Sequence, residues 1–135
     1  MTNGGAVSWR SRKQKLVTSS AMEAEYVSLY DATKEALWYK KLLLEIHGKS
    51  KPISILEDNQ PAINLSKNPV VHDRSKHIDT KYHVIRQHQE LGDIKIEYCC
   101  TESMIADIFT KPLGRVKFEQ HRQSLGLYLN QDKPK

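Results

Sequence analysis

Three carboxylates stand where acid-assisted chemistry would need them. Glu25 lies one turn into a predicted helix, Asp58 closes the short apolar strand PISILE, and Asp107 opens a helical stretch beyond a second strand, IKIEY. In open α/β sheets, ligand sites gather at the carboxyl ends of strands, and Asp58 and Asp107 both fit that rule. Carboxylates converging there would suit a hard cation such as Mg²⁺, which takes oxygen ligands and keeps several waters. Two such ions, roughly 3.5–4 Å apart, can activate a water and stabilise the leaving oxygen in phosphodiester cleavage. Each acid also has a plainer explanation. Among 16 acidic residues, one at an element end is more often a cap or a solvated charge than a ligand.

A second constellation is basic. Residues 67–88 hold His72, His77, His83 and His88 together with Lys67, Arg74, Lys76, Lys81 and Arg86. The histidine spacing does not place two ligands on one helical face with cysteine to complete them, so zinc is not expected. Two readings stay open: a solvated helix face, or a surface that neutralises phosphates without reading bases. His83, beside an apolar stripe, is read as a core or capping histidine. Trp9 and Trp38 have apolar neighbours and are read as core rather than as base-stacking platforms.

These groups need elements to hold them. Residues 6–18 are expected to form one or two strand-like pieces anchored by Val7, Trp9, Leu16 and Val17, after a hairpin-like Gly4-Gly5 turn. A helix begins at Ser20, where Ser20 and Glu23 have the spacing of a capping box. Its apolar stripe runs through Met22, Tyr26, Leu29, Thr33, Leu37 and Leu44, and Gly48 stops it. PISILE reads as a buried strand, and Pro61 opens a short helix over residues 61–66. A third helix spans Ser75 to Leu91, with Ile78, Tyr82 and Ile85 inward and Gly92 as terminator. IKIEY alternates as a half-buried strand should. A helical stretch starts near Ser103 and is interrupted at Pro112, and a last helix runs from about Val116 to Leu125. Strands alternating with helices predict an α/β architecture with at least one parallel pair.

Composition sets the outer bounds. The chain of 135 residues suits one domain. A hydrophobic fraction of 39% promises a lean core, and a net charge of +5 favours an anionic partner, most commonly nucleic acid. Cys99 and Cys100 are neighbours, which leaves no room for an ordinary disulfide between them and supports no cysteine zinc site. A reducing intracellular setting is expected. The opening MTNGGAVSWRSRK has no apolar h-region, and no stretch is long enough to span a bilayer.

Four ordered strings then carry a resemblance: SSAMEAEY (residues 19–26), EDNQPAINL (57–65), NPVVHDRSKHIDTKYHVIR (68–86) and ADIFTKPL (106–113). They resemble the RNase H domain of copia-type LTR retrotransposon Pol polyproteins. SWRSRKQKLVTSS and FEQHRQSLGL extend the likeness over about residues 4–127, leaving 128–135 as an expected disordered tail. The resemblance implies an RNase H-like mixed sheet flanked by helices. It also implies an acidic cluster that binds two Mg²⁺ or Mn²⁺ ions and cleaves the RNA strand of an RNA–DNA hybrid during reverse transcription. By motif, Glu25, Asp58 and Asp107 match the family's metal-binding acids, with Glu23 second to Glu25 at the helix position. The basic segment flanks the family's substrate groove, which favours nucleic-acid contact by Arg74, Lys76, His77 and Lys81. The partners implied are the hybrid and the reverse transcriptase portion of the same polyprotein, in a cytoplasmic virus-like particle.

The departure from the family pattern is at the amino end. The family's first two strands, and the leading aspartate of a Y-x-D-A-D-W-like string, have no counterpart, and no acid precedes Glu23. Losing that ligand should impair metal binding and misplace the nucleophilic water. Losing the strand should leave PISILE with unpaired backbone along one edge, so that residues 6–18 must pair with it directly or another chain must fill it, and the chain alone is expected to be poorly folded or self-associating. The chain on its own is therefore expected to lack appreciable RNase H activity. A non-catalytic nucleic-acid-binding module and a host-recruited interaction module are the alternatives.

Overall fold

The computed structural model describes residues 5–11, 14, 21–67 and 76–128, with the backbone alone for 76–79. The chain divides into two compact units, residues 17–100 and a unit joining residues 1–16 to 101–135.

The larger unit is built on helix α1 (Ala21–His47), strand β1 (Ile53–Glu57), helices α2 (Gln60–Lys67) and α3 (Lys76–Glu90), and strand β2 (Ile94–Tyr98). α1 has 27 residues, a length of roughly 40 Å. It buries the expected stripe of Tyr26, Leu29 and Thr33, whereas Leu44 near its carboxyl end is exposed. The helix stops at Gly48, whose φ of 69° suits a residue without a Cβ. Gly92 ends α3 in the same way, at φ 70°.

β1 and β2 pair in parallel, Ile53 opposite Ile94 and Glu57 opposite Tyr98. Among the described residues they make a two-stranded sheet. The expected parallel pair is present, and the unit is α/β. PISILE differs from its reading as a fully buried strand: Ile55 packs inward, while Ser54 and Leu56 are exposed. Two neighbouring strands with helices on one face alternate rather than bury both sides. Ile96 meets Tyr26, Leu29, Ala62, Ile63 and Ile85 in one core, with Tyr30, Ile55, Leu65 and Tyr82 at its margin. Truncating Ile85, fully buried there, should cost on the order of 2–5 kcal/mol.

α2 starts at Gln60, one residue before the expected opening at Pro61. Asn59 caps it, its Oδ1 accepting from the Ala62 N–H at 2.9 Å. A polar clamp ties α1 to the turn between α3 and β2. Lys40 Nζ donates to Asp93 Oδ1 at 2.7 Å and to the Gly92 carbonyl at 3.3 Å, and His88 Nδ1 lies 2.7 Å from Asp93 Oδ2. Both partners hold the Asp93 carboxyl below its usual range, Lys40 more than His88.

The smaller unit contains two 3₁₀ turns, Thr101–Ser103 and Ile105–Phe109, and helix α4 (Arg115–Ser124). The helical stretch expected from Ser103 is thus 3₁₀, ending before Pro112. The strand reading of residues 6–18 is corrected over 6–11, which are not strand. Ala6 N–H instead reaches the Leu125 carbonyl at 3.0 Å. Leu16, Val17 and Ser20 lie outside the described residues. Val7 and Trp9 are exposed, and Trp9 stacks on Phe109 with ring centroids 5.4 Å apart. Trp38 is exposed as well. Neither tryptophan is core, because apolar sequence neighbours on a helix or an extended segment do not share one face.

Candidate functional site

β1 delivers an acid to each of two positions at its carboxyl end. Strand alternation puts Glu57 on the same inward face as Ile53 and Ile55. It is 6% exposed, and its Oε1 accepts the Asn59 N–H at 3.0 Å. Its own carbonyl accepts from Cys99 N–H at 3.0 Å, continuing the β1–β2 pairing past the last strand residue. Asp58 follows, half-buried, and Glu25 stands half-buried in the first turns of α1.

The Glu57 carboxyl registers both neighbours. Burial pushes it up to about 7, and the charges of Glu25 and Asp58 push the same way against a lowering bond from the Asn59 N–H. Glu25 and Asp58, singled out from the sequence, are therefore brought into electrostatic reach of a third acid that sequence reasoning missed. A signal was present in the string. An acid at an inward position of an apolar strand is rare unless something holds it.

Asp107 belongs to the smaller unit and has a different environment. It is buried within its 3₁₀ turn, with Lys111 Nζ 2.8 Å from Oδ1 and Lys117 Nζ 3.8 Å from Oδ2. Its carbonyl also accepts the Thr110 and Lys111 N–H groups. Two ammonium groups thus stand where a cation would stand for a metal ligand. Among the described residues, no three His, Cys, Asp or Glu side chains are disposed to hold a metal ion. Glu23, the competing helix acid, is half-buried.

Of the basic set, Arg74 and the side chains of Lys76 and His77 lie outside the described residues. Lys81 is half-buried with its Nζ 5.8 Å from the centre of the Tyr30 ring, within cation–π range. His83 is exposed, which corrects its reading as a core or capping residue. It falls on the outer side of α3, one position past Tyr82. Tyr26, next to Glu25, packs on Tyr82 with ring centroids 4.3 Å apart. Its hydroxyl is buried without a hydrogen-bond partner among the described residues, and burial raises its pKa far above the ordinary value. No helix among the described residues is long and apolar enough to cross a membrane.

Known proteins of similar sequence give this arrangement a context. The chain is 40% identical over 128 residues, 95% of its length, to the retrovirus-related Pol polyprotein from transposon TNT 1-94 of Nicotiana tabacum, of which it spans 10%. It is 40% identical over 90% of its length to the Pol polyprotein from transposon RE2 of Arabidopsis thaliana, and 38% identical over the same share to that from RE1; it spans 8% of each. No family model and no solved structure matches the chain. Over nearly its whole length, the chain is a homologue of a short segment of copia-type retrotransposon Pol polyproteins.

Proposed function

We propose that the chain is the RNase H portion of a copia-type Pol polyprotein, serving to remove the RNA strand of RNA–DNA hybrids during reverse transcription. The observation that carries this reading is that Glu25 and Asp58 both act electrostatically on the buried Glu57 at the carboxyl end of a parallel strand. Homology to Pol polyproteins along 90–95% of the chain supports it. In this proposal Glu25, Asp58 and Asp107 are the acids that take part, and Mg²⁺ or Mn²⁺ is the cofactor.

The described residues do not fit a two-ion centre as they stand. No three ligands are disposed around one point, and Asp107 is held by Lys111 and Lys117. The 135-residue chain by itself is accordingly proposed to bind hybrid without cleaving it. In this proposal further polyprotein residues complete the ligand set and draw Asp107 from its lysines.

Binding tests the nucleic-acid half of the proposal. In the presence of a chelator, the chain should bind an RNA–DNA hybrid with an affinity that falls as salt rises. Reversing the charge of Arg74, Lys76 and Lys81 together should flatten that dependence by roughly 1 in log–log slope for each phosphate that is no longer neutralised. An unchanged slope would remove these residues from the interface.

A further inference from the structure

The chain has two cysteines, and they are adjacent at the carboxyl end of β2. Both are thiols; Cys99 is half-buried and Cys100 is exposed. Cys99 N–H is bonded to the Glu57 carbonyl at 3.0 Å, and regular strand structure ends at Tyr98. Cys99 Sγ is turned along the chain toward its neighbour, 3.5 Å from the Cys100 carbonyl oxygen. Consecutive Cα atoms are about 3.8 Å apart. At that spacing, an exposed Cys100 side chain turned toward Cys99 would present two sulfur atoms to one small centre.

We propose that Cys99 and Cys100 form a two-thiol site that chelates a trivalent arsenical through both sulfur atoms. A direct disulfide between neighbours is strained because its bond length and dihedral are narrowly fixed. An inserted arsenic atom enlarges the ring by one member and relieves that constraint. The condensation is balanced: an organoarsenic oxide, R–As=O, forms two As–S bonds and loses its As=O bond. Its oxygen leaves as water with the two thiol protons, and no electrons are transferred. A tetrahedral divalent ion such as zinc wants four ligands, and among the described residues no third His, Cys, Asp or Glu side chain completes such a set. A trivalent arsenical with one organic substituent needs only the two.

The test is titration of the full 135-residue chain with phenylarsine oxide, read by intact mass. The expected product is one adduct per chain, equal to the arsenical less one water. It should survive excess mercaptoethanol and be removed by 2,3-dimercaptopropanol. Cys99→Ser and Cys100→Ser should each weaken retention at least tenfold with the far-UV circular dichroism unchanged. Cys100 is exposed, so its replacement leaves the fold intact and keeps the test decisive. Full retention by either single variant, release by the monothiol, or an adduct mass corresponding to two bridged chains would overturn the proposal.

Discussion

At the scale of single residues, Glu57 is where the fold and the proposed function compete. Its carboxyl is buried beside two other acids and pushed up to about 7. An acid whose pKa rises on folding contributes stability that is complete below its unfolded pKa and lost as pH climbs through the folded one. The chain should therefore lose on the order of 2–3 kcal/mol from this group between about pH 4.5 and 7. Glu57→Gln should abolish that loss and melt at higher temperature than the parent at pH 8, with little difference at pH 4. Parallel melting curves at all pH values would show that Glu57 is not strained by its surroundings. Tyr26 offers a second check. Its buried hydroxyl has no partner among the described residues, so Tyr26→Phe should be neutral or stabilising by up to about 1–3 kcal/mol. A clear fall in Tm would reveal a bond that the hydroxyl makes.

At the scale of elements, the Lys40–Asp93–His88 clamp fixes the far half of α1 against the α3–β2 turn. Asp93→Asn should lower Tm by a few degrees, corresponding to roughly 1 kcal/mol for a part-exposed charged network. Because the Asp93 carboxyl is depressed on folding, its contribution is present above its unfolded pKa and fades as pH falls through the folded one. The variant and the parent should therefore converge at strongly acid pH, and a constant gap would count against the clamp. Elements of this kind were only partly legible in the sequence. Periodicity found α1, α3 and both strands, and glycine found the ends of α1 and α3, because local sterics decide those features. It did not find the clamp, which joins residues 53 positions apart. It also misread Trp9 and Trp38 as core, since apolar content says nothing about which face is covered. Glu25 and Asp58 were singled out by motif and position; Glu57 was hidden because an inward acid contradicts the pattern that defined its strand.

At the scale of the whole molecule, the acids around Glu57 and the lysine-held Asp107 belong to different units, and the proposed nuclease needs more than the described residues to work. The net charge of +5 suits binding to nucleic acid, and binding alone does not make a nuclease. The most direct measurement is cleavage of an RNA–DNA hybrid in Mg²⁺ or Mn²⁺. It compares the 135-residue chain with the same chain joined to the polyprotein segment that precedes the matching region in a relative such as TNT 1-94. The account predicts no cleavage by the chain alone, and cleavage by the joined form that Asp58→Asn abolishes. Metal-dependent, Asp58-dependent cleavage by the chain alone, or an inactive joined form that still folds and binds hybrid, would contradict it.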